Sequence, residues 1–175
     1  MNYRTPIQYG FMIAFCGAIL MLSLVGLGFL GPSAVLSGKE MTGGTLLFLM
    51  IYLFLLIGIY FVLIRQKECA EGVLSFKTAI TQGILTSFST AFFSVLLTIL
   101  FYEILYPEYV NELLTALKEK MELENIPKYR VEEKLAERKT YYHTSNQCLY
   151  SFIGNFTTEA SFTLLLSFFL KSQRK

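Results

Sequence analysis

Charge is scarce in this sequence. Asp, Glu, Lys and Arg make up 16% of its 175 residues, against about 25% in an ordinary soluble domain. The shortage is uneven, because long stretches carry no charge while acids and bases crowd between Glu103 and Lys139. Membrane spans separated by wet loops distribute charge in this way, and a solvated globule does not. The net charge of +2 is too small to hold a nucleic acid, so no such partner is expected. There is one histidine, His143, and there are three cysteines, Cys16, Cys69 and Cys148, far apart and without CxxC spacing. These shortages offer no metal-ligand set and lead us to expect three unpaired thiols. No GxGxxG, GxxxxGK(S/T) or HExxH pattern occurs, and no Ser/His/Asp arrangement suggests itself. No cofactor, metal or catalytic residue is therefore expected, and the chain does not read as an enzyme.

What the sequence does have is long apolar runs. The first covers about 7–30, with Thr5 as the expected N-cap, Pro6 in the first turn and Gly31-Pro32 as the terminator. About 24 residues reach roughly 36 Å, enough to cross a bilayer. The run exceeds the h-region of a signal peptide and lacks a clean small-x-small cleavage site, so a retained helix is expected. The second run, 45–64, is the most uniformly apolar and reads as plain lipid-facing helix, stopped by Arg65, Gln66 and Lys67. The third begins at Ser75 or Thr78 and continues to about 105. Its end, with Tyr102, Glu103 and Tyr106, is expected at the lipid interface. The fourth covers 149–170, closed by Lys171, with Tyr141, Tyr142 and Tyr150 as an interfacial aromatic group before it.

The segment between the last two runs, 106–148, is long. Val110, Leu113, Leu114, Leu117 and Met121 recur at helical spacing, Pro127 interrupts, and Val131 and Leu135 mark a second amphipathic piece. The fold class that follows is all-α: a single membrane domain over 1–175, built as a four-helix bundle with spans at about 7–30, 45–64, 78–105 and 149–170. A charged extramembrane helical hairpin at 106–148 joins helices three and four. It is too small to be an independent catalytic domain.

Four spans put both termini on one side, with Arg4, Arg65, Lys67, Lys77, Lys171, Arg174 and Lys175. The opposite side has Lys39 and seven Lys or Arg in the middle of 106–148, none of them next to a span end. Basic residues near span ends decide orientation, so cytoplasmic termini and an external 106–148 segment are expected.

Two spans carry polar stripes. In the fourth, Ser151, Asn155, Glu159, Thr163 and Ser167 repeat every four residues, and Thr158 and Ser161 are read as widening that face. In the third, Gln82, Thr86, Thr90, Ser94 and Thr98 do the same, beside a small-residue stripe of Ala79, Gly83, Ser87 and Ala91. The first span has Gly10, Ala14 and Ala18, with Gly26 two turns on. Small residues let helix backbones approach, and hydroxyls bond between helices. Polar groups facing lipid are costly, so the third and fourth spans are expected to turn their stripes towards each other. This arrangement serves either helix packing or a polar path. Glu159 falls near mid-span with no Lys or Arg in any span to pair it, and burial disfavours its charged form. We expect a neutral carboxyl bonded to a third-span hydroxyl such as Thr90 or Ser94, acting as an interhelical anchor or as a proton-linked site. Asn155-Phe156-Thr157 matches a glycosylation sequon but lies within a span, out of reach of a modifying enzyme. Glu103 is expected to be simply solvated.

The segment 72–83, GVLSFKTAITQG, resembles the G-x-x-S-F-x-x-A-x-x-x-G entry to the third span in the domain of unknown function 4199 family, small membrane proteins chiefly of Bacteroidota. The resemblance extends over most of the chain: a paired short-loop start, a tyrosine-rich end to the third span, a charged helical insertion, and a glutamate embedded in the fourth span, here Glu159 within Thr157-Thr158-Glu159-Ala160. It departs after that glutamate, where Ala160-Ser161-Phe162 stands in place of a Pro-Val-Gly-like element. The resemblance implies a multi-pass protein of the bacterial inner membrane and no particular activity. Two functions remain open. One is a non-catalytic membrane component that self-associates or meets a membrane-protein partner. The other is a small oligomeric transporter or channel-like protein using the polar face around Glu159.

Overall fold

A computed structural model describes residues 4–172, so Arg174 and Lys175 lie outside the described residues. Every described element is helical: α1 (Arg4–Gly26), α2 (Pro32–Ser37), α3 (Glu40–Cys69), α4 (Phe76–Ile99) with a π-helical continuation (Leu100–Leu105), α5 (Tyr109–Leu123), α6 (Lys128–Tyr141) and α7 (Thr144–Leu170). Among the described residues, four helices are long and apolar enough to cross a membrane: α1, α3, α4 with its continuation, and α7. At 1.5 Å per residue these span roughly 35–45 Å. Their outward faces carry Phe11, Phe48, Leu49, Phe61, Phe88, Leu164 and Phe169, all well exposed. That surface suits hydrocarbon, where apolar groups cost nothing.

Helix α4 is the central element. It packs along α7 and α1, and α3 contacts α1, α7 and α4. The closest approaches fall where the sequence supplies glycine. A Cβ on Gly10 would stand 2.5 Å from Ser89 Cβ and 2.8 Å from the Thr90 amide nitrogen. One on Gly58 would meet Ile13, and one on Gly83 would lie 2.2 Å from Thr163 Cγ2. Of the expected small-residue positions, Gly10, Ala14, Ala79, Gly83, Ser87 and Ala91 are buried and Ala18 is half-buried. Gly26 is exposed at the end of α1, with nothing near it.

Several boundaries move. Thr5 is helical rather than a cap. The first helix ends at Gly26, before Gly31-Pro32, because Gly28 and Gly31 adopt positive φ and turn the chain into α2, a short helix with Pro32 at its start. The second span extends ten residues or so beyond the apolar run in total, since Glu40 and Arg65 to Cys69 keep helical geometry with their polar ends outside the apolar stretch. It is not plain lipid-facing helix either. Leu55, Gly58, Ile59, Val62, Leu63 and Gln66 recur at helical spacing and are buried, so its second half packs inward. Ser75 caps α4 by accepting from the Thr78 amide. His143 caps α7 through Nδ1, which accepts from the Ser145 amide, so the last long helix starts at Thr144 rather than 149.

The 106–148 segment forms two helices, α5 and α6. Asn125 takes positive φ between them and Pro127 flanks α6. Tyr109, Leu113 and Ala116 of α5 pack with Val35 of α2 and with Phe101 and Tyr102. Tyr102 and Phe101, on the π-helical turns, are buried in this cluster. Lys120 Nζ donates to Glu40 Oε1 at 3.0 Å, tying α5 to the start of α3. Glu103 is not merely solvated, since Thr144 Oγ1 donates to its Oε1 at 2.6 Å. Val131 is the one residue of α6 that is buried. At the other end of the molecule, Ser172 donates from its amide to Leu74 O and from its hydroxyl to Gly72 O, fastening the end of α7 to the α3–α4 turn.

Candidate functional site

Antiparallel packing brings the two polar stripes into register. Thr90 Oγ1 donates to Glu159 Oε1 at 3.1 Å. One turn forward on α4 is Ser94 and one turn back on α7 is Asn155; a further turn gives Thr98 and Ser151. In the other direction the same steps give Thr86 with Thr163 and Gln82 with Ser167. A four-residue period on both helices is what allows one contact to propagate along the interface.

The stripe divides into a closed half and an open half. Gln82, Thr86, Thr90, Glu159, Thr163 and Ser167 are buried, whereas Ser94, Thr98, Ser151 and Asn155 are half-buried. The small-residue stripe explains the division. Ala79, Gly83, Ser87 and Ala91 are small and buried, Gly83 directly against Thr163 of α7, and the next position on that face is the larger, half-buried Val95. Ser161, expected on the polar face, is exposed on the opposite side and donates to its own helix at Thr157 O. Two residues from Glu159 is about 200° around a helix, which is why it cannot share that face.

In the closed half, Gln66 Nε2 donates to Gln82 Oε1 at 3.1 Å, joining α3 to the α4 stripe. Gln66 was read only as a terminator of the second run. Its spacing from Leu55, Ile59, Val62 and Leu63 is the signal that places it on the buried face. Among the described residues, Gln82 Nε2, Glu159 Oε2, Thr163 Oγ1 and Ser167 Oγ are buried without a partner. Such groups carry a cost of about 1–3 kcal/mol each in a protein interior, so this interface holds unused hydrogen-bonding capacity around one carboxyl.

In the open half lies a cavity of about 370 Å³ lined by all four long helices. Ala14, Ala18 and Ile19 come from α1, Leu47, Ile51 and Phe54 from α3, Thr90, Ser94 and Thr98 from α4, and Ser151 and Asn155 from α7. Thr90 thus faces the cavity and also bonds Glu159, which stands behind it. Ser94 does not contact Glu159; it lines the cavity. The cysteines Cys16, Cys69 and Cys148 are free. Outside the spans, burial raises the Tyr109 and Tyr142 phenols above the ordinary tyrosine value.

The class that these features define is an all-helical protein with four helices able to span a membrane and a polar interface between two of them. The family model described as "Protein of unknown function (DUF4199)" matches residues 7–172. The chain belongs to that family. No curated protein and no solved structure matches the chain.

Proposed function

We propose that the chain is a non-catalytic, multi-pass component of the bacterial inner membrane that works by contact with a partner, either a second copy or another membrane protein. In this reading the four long helices form a four-helix bundle, and α5 and α6 form an extramembrane helical hairpin. The termini are cytoplasmic and the hairpin external, as the basic residues near span ends favour. One observation carries the proposal: α6 has fourteen residues, of which Val131 alone is buried. Its Glu132, Glu133, Lys134, Glu137 and Arg138 all stand exposed. A helix with so little packing of its own gains order by docking on something else.

Purification in mild detergent with mass spectrometry tests this. The expected result is a stable assembly that is lost when Glu132→Gln, Glu133→Gln and Glu137→Gln are combined. A single-chain particle, or an assembly indifferent to those changes, contradicts it. A reporter fused to the C-terminus and active only outside the cell contradicts the orientation.

The transport reading is favoured by a different observation, the Thr90–Glu159 contact at the edge of a cavity bounded by all four long helices. Proteoliposomes decide it: pH-linked flux abolished by Glu159→Gln with folding intact supports a proton-linked site. Absence of pH-linked flux, or flux unaltered by that variant, leaves Glu159 as an anchor.

A further inference from the structure

The cavity carries an inference that is independent of the partner reading. It is asymmetric. Ile19, Leu47, Ile51 and Phe54 give it an apolar wall on α1 and α3, while α4 and α7 present Ser94, Ser151 and Asn155. The Ser94 and Ser151 hydroxyls and the Asn155 amide form no hydrogen bond among the described residues. Polar side chains elsewhere in these helices bond to their own backbone, as Thr98 does to Ser94 O and Thr157 to Ile153 O. The three idle groups converge on one space, and no Lys, Arg, Asp or Glu lines it.

The way in is also visible. Phe15, Ile19 and Leu22 line the cavity and are 46%, 49% and 43% exposed at the outer surface of α1. The wall is therefore continuous with the face turned to lipid. The inner half of the molecule is shut by the Gly10, Gly58 and Gly83 approaches, so the cavity opens only in the half nearest α5. Water can meet Ser94, Ser151 and Asn155 but gains nothing from the apolar wall, whereas an amphiphile satisfies both without leaving the bilayer. A space of about 370 Å³ falls within the usual range for a small-molecule site, about 300–1,000 Å³.

We propose that this cavity binds a single-chain amphiphile with an uncharged hydrogen-bonding head group, entering sideways from the bilayer. The head group lies on Ser94, Ser151 and Asn155, and the chain runs along Ile19, Leu47 and Ile51. A monoacylglycerol has the required chemistry: hydroxyls and one ester carbonyl to exchange hydrogen bonds with two hydroxyls and an amide, and no charge to be left unpaired. A fatty-acid carboxylate or a lysophospholipid brings a charge that no lining cation meets.

The test uses the full chain in nanodiscs and a monoacylglycerol bearing a diazirine in its acyl chain. Irradiation is expected to place adducts on Ile19, Leu47 or Ile51 and to be competed by unmodified monoacylglycerol. Oleate or lysophosphatidylcholine should compete at least ten-fold less well. Ala18→Phe, which fills the space from α1, should cut labelling at least five-fold; Ser94→Ala with Asn155→Leu should weaken competition about ten-fold. Adducts confined to outward residues such as Phe48 and Phe169, without competition, overturn the site. Better competition by oleate or lysophosphatidylcholine overturns the uncharged head group. If Ala18→Phe does not fold, the competition series on the unaltered chain still decides the matter.

Discussion

Replacing Gly10 by alanine tests whether α1 and α4 are in true backbone contact. The new Cβ would sit 2.5 Å from Ser89 Cβ, 2.8 Å from Thr90 N and 3.1 Å from Ser89 C. Carbon atoms pack at about 3.5–4.0 Å, so the two helices must part by about 1 Å at this level. No side-chain rotation relieves it, because two of the three obstructing atoms are backbone. Overpacking of this sort costs about 1–3 kcal/mol. In water, alanine would recover about 1 kcal/mol through helix propensity. In a membrane the separated helix is still a helix, so that gain largely vanishes. The expected loss is therefore about 1–3 kcal/mol, roughly a 5- to 160-fold change in the folding equilibrium. Gly17→Ala and Gly26→Ala are the controls: same helix, same change, and nothing within 4 Å of the added methyl. They should fall within about 0.5 kcal/mol of the parent. Unfolding in mixed micelles by SDS titration reads all three. A Gly10→Ala variant as stable as Gly26→Ala would refute close packing of α1 on α4.

The adjacent glycines of α3 should behave oppositely. A Cβ on Gly43 would lie 1.7 Å from Phe29 O, whereas Gly44 has nothing within 4 Å, so Gly43→Ala should lower the SDS midpoint markedly and Gly44→Ala should not. Thr90→Val leaves the fully buried Glu159 carboxyl without its donor and should cost about 0.5–2 kcal/mol, while Glu159→Gln keeps an acceptor for Thr90 and should cost less in the same titration. Burial holds the Tyr109 phenol above its ordinary 10.0, so its neutral form supports the α5 docking fully below about pH 10 and that support fades as pH rises through the higher folded-state value. Tyrosinate absorbance titration should show late-titrating phenols, with one fewer in Tyr109→Phe; an unchanged late amplitude would contradict this.

The spans were legible because hydropathy over twenty or so residues survives any detail of packing, and the two polar stripes because their period matches the helix. Hydropathy alone does not mark where a helix continues through polar residues beyond an apolar run. Thr144 to Cys148 belong to α7 and Arg65 to Cys69 to α3, yet neither stretch is apolar. The small helix α2 and the π-helical turns at Leu100–Leu105 depend on what α5 packs against, which no local pattern encodes. Within the site, Thr90 and Glu159 could be paired by residue type and depth. The involvement of Gln66 could have been found by extending the α3 buried face by one turn. The cavity could not, since it arises from how all four long helices come together. Ser161 is near Glu159 in sequence but about 200° away around α7, so nearness in sequence does not put it on the polar face.

The α4 and α7 stripes face each other across a glycine-made close approach, and cysteine cross-linking reads that geometry in the membrane itself. In a background with Cys16→Ala, Cys69→Ala and Cys148→Ala, the pair Gly83→Cys and Thr163→Cys would be introduced, with a protease site placed between α5 and α6. A Cβ on Gly83 lies 2.9 Å from Thr163 Cβ, so a separation of under 1 Å reaches the roughly 3.5–4.5 Å that a disulfide requires. Mild oxidation in native membranes is expected to join the two halves, so that they stay together after cleavage until reduced. The neighbouring pair, Gly83→Cys with Leu164→Cys, should stay apart, because Leu164 is 55% exposed on another face. Halves that separate for the Thr163 pair, or cross-link equally for Leu164, would contradict the arrangement on which the site is built.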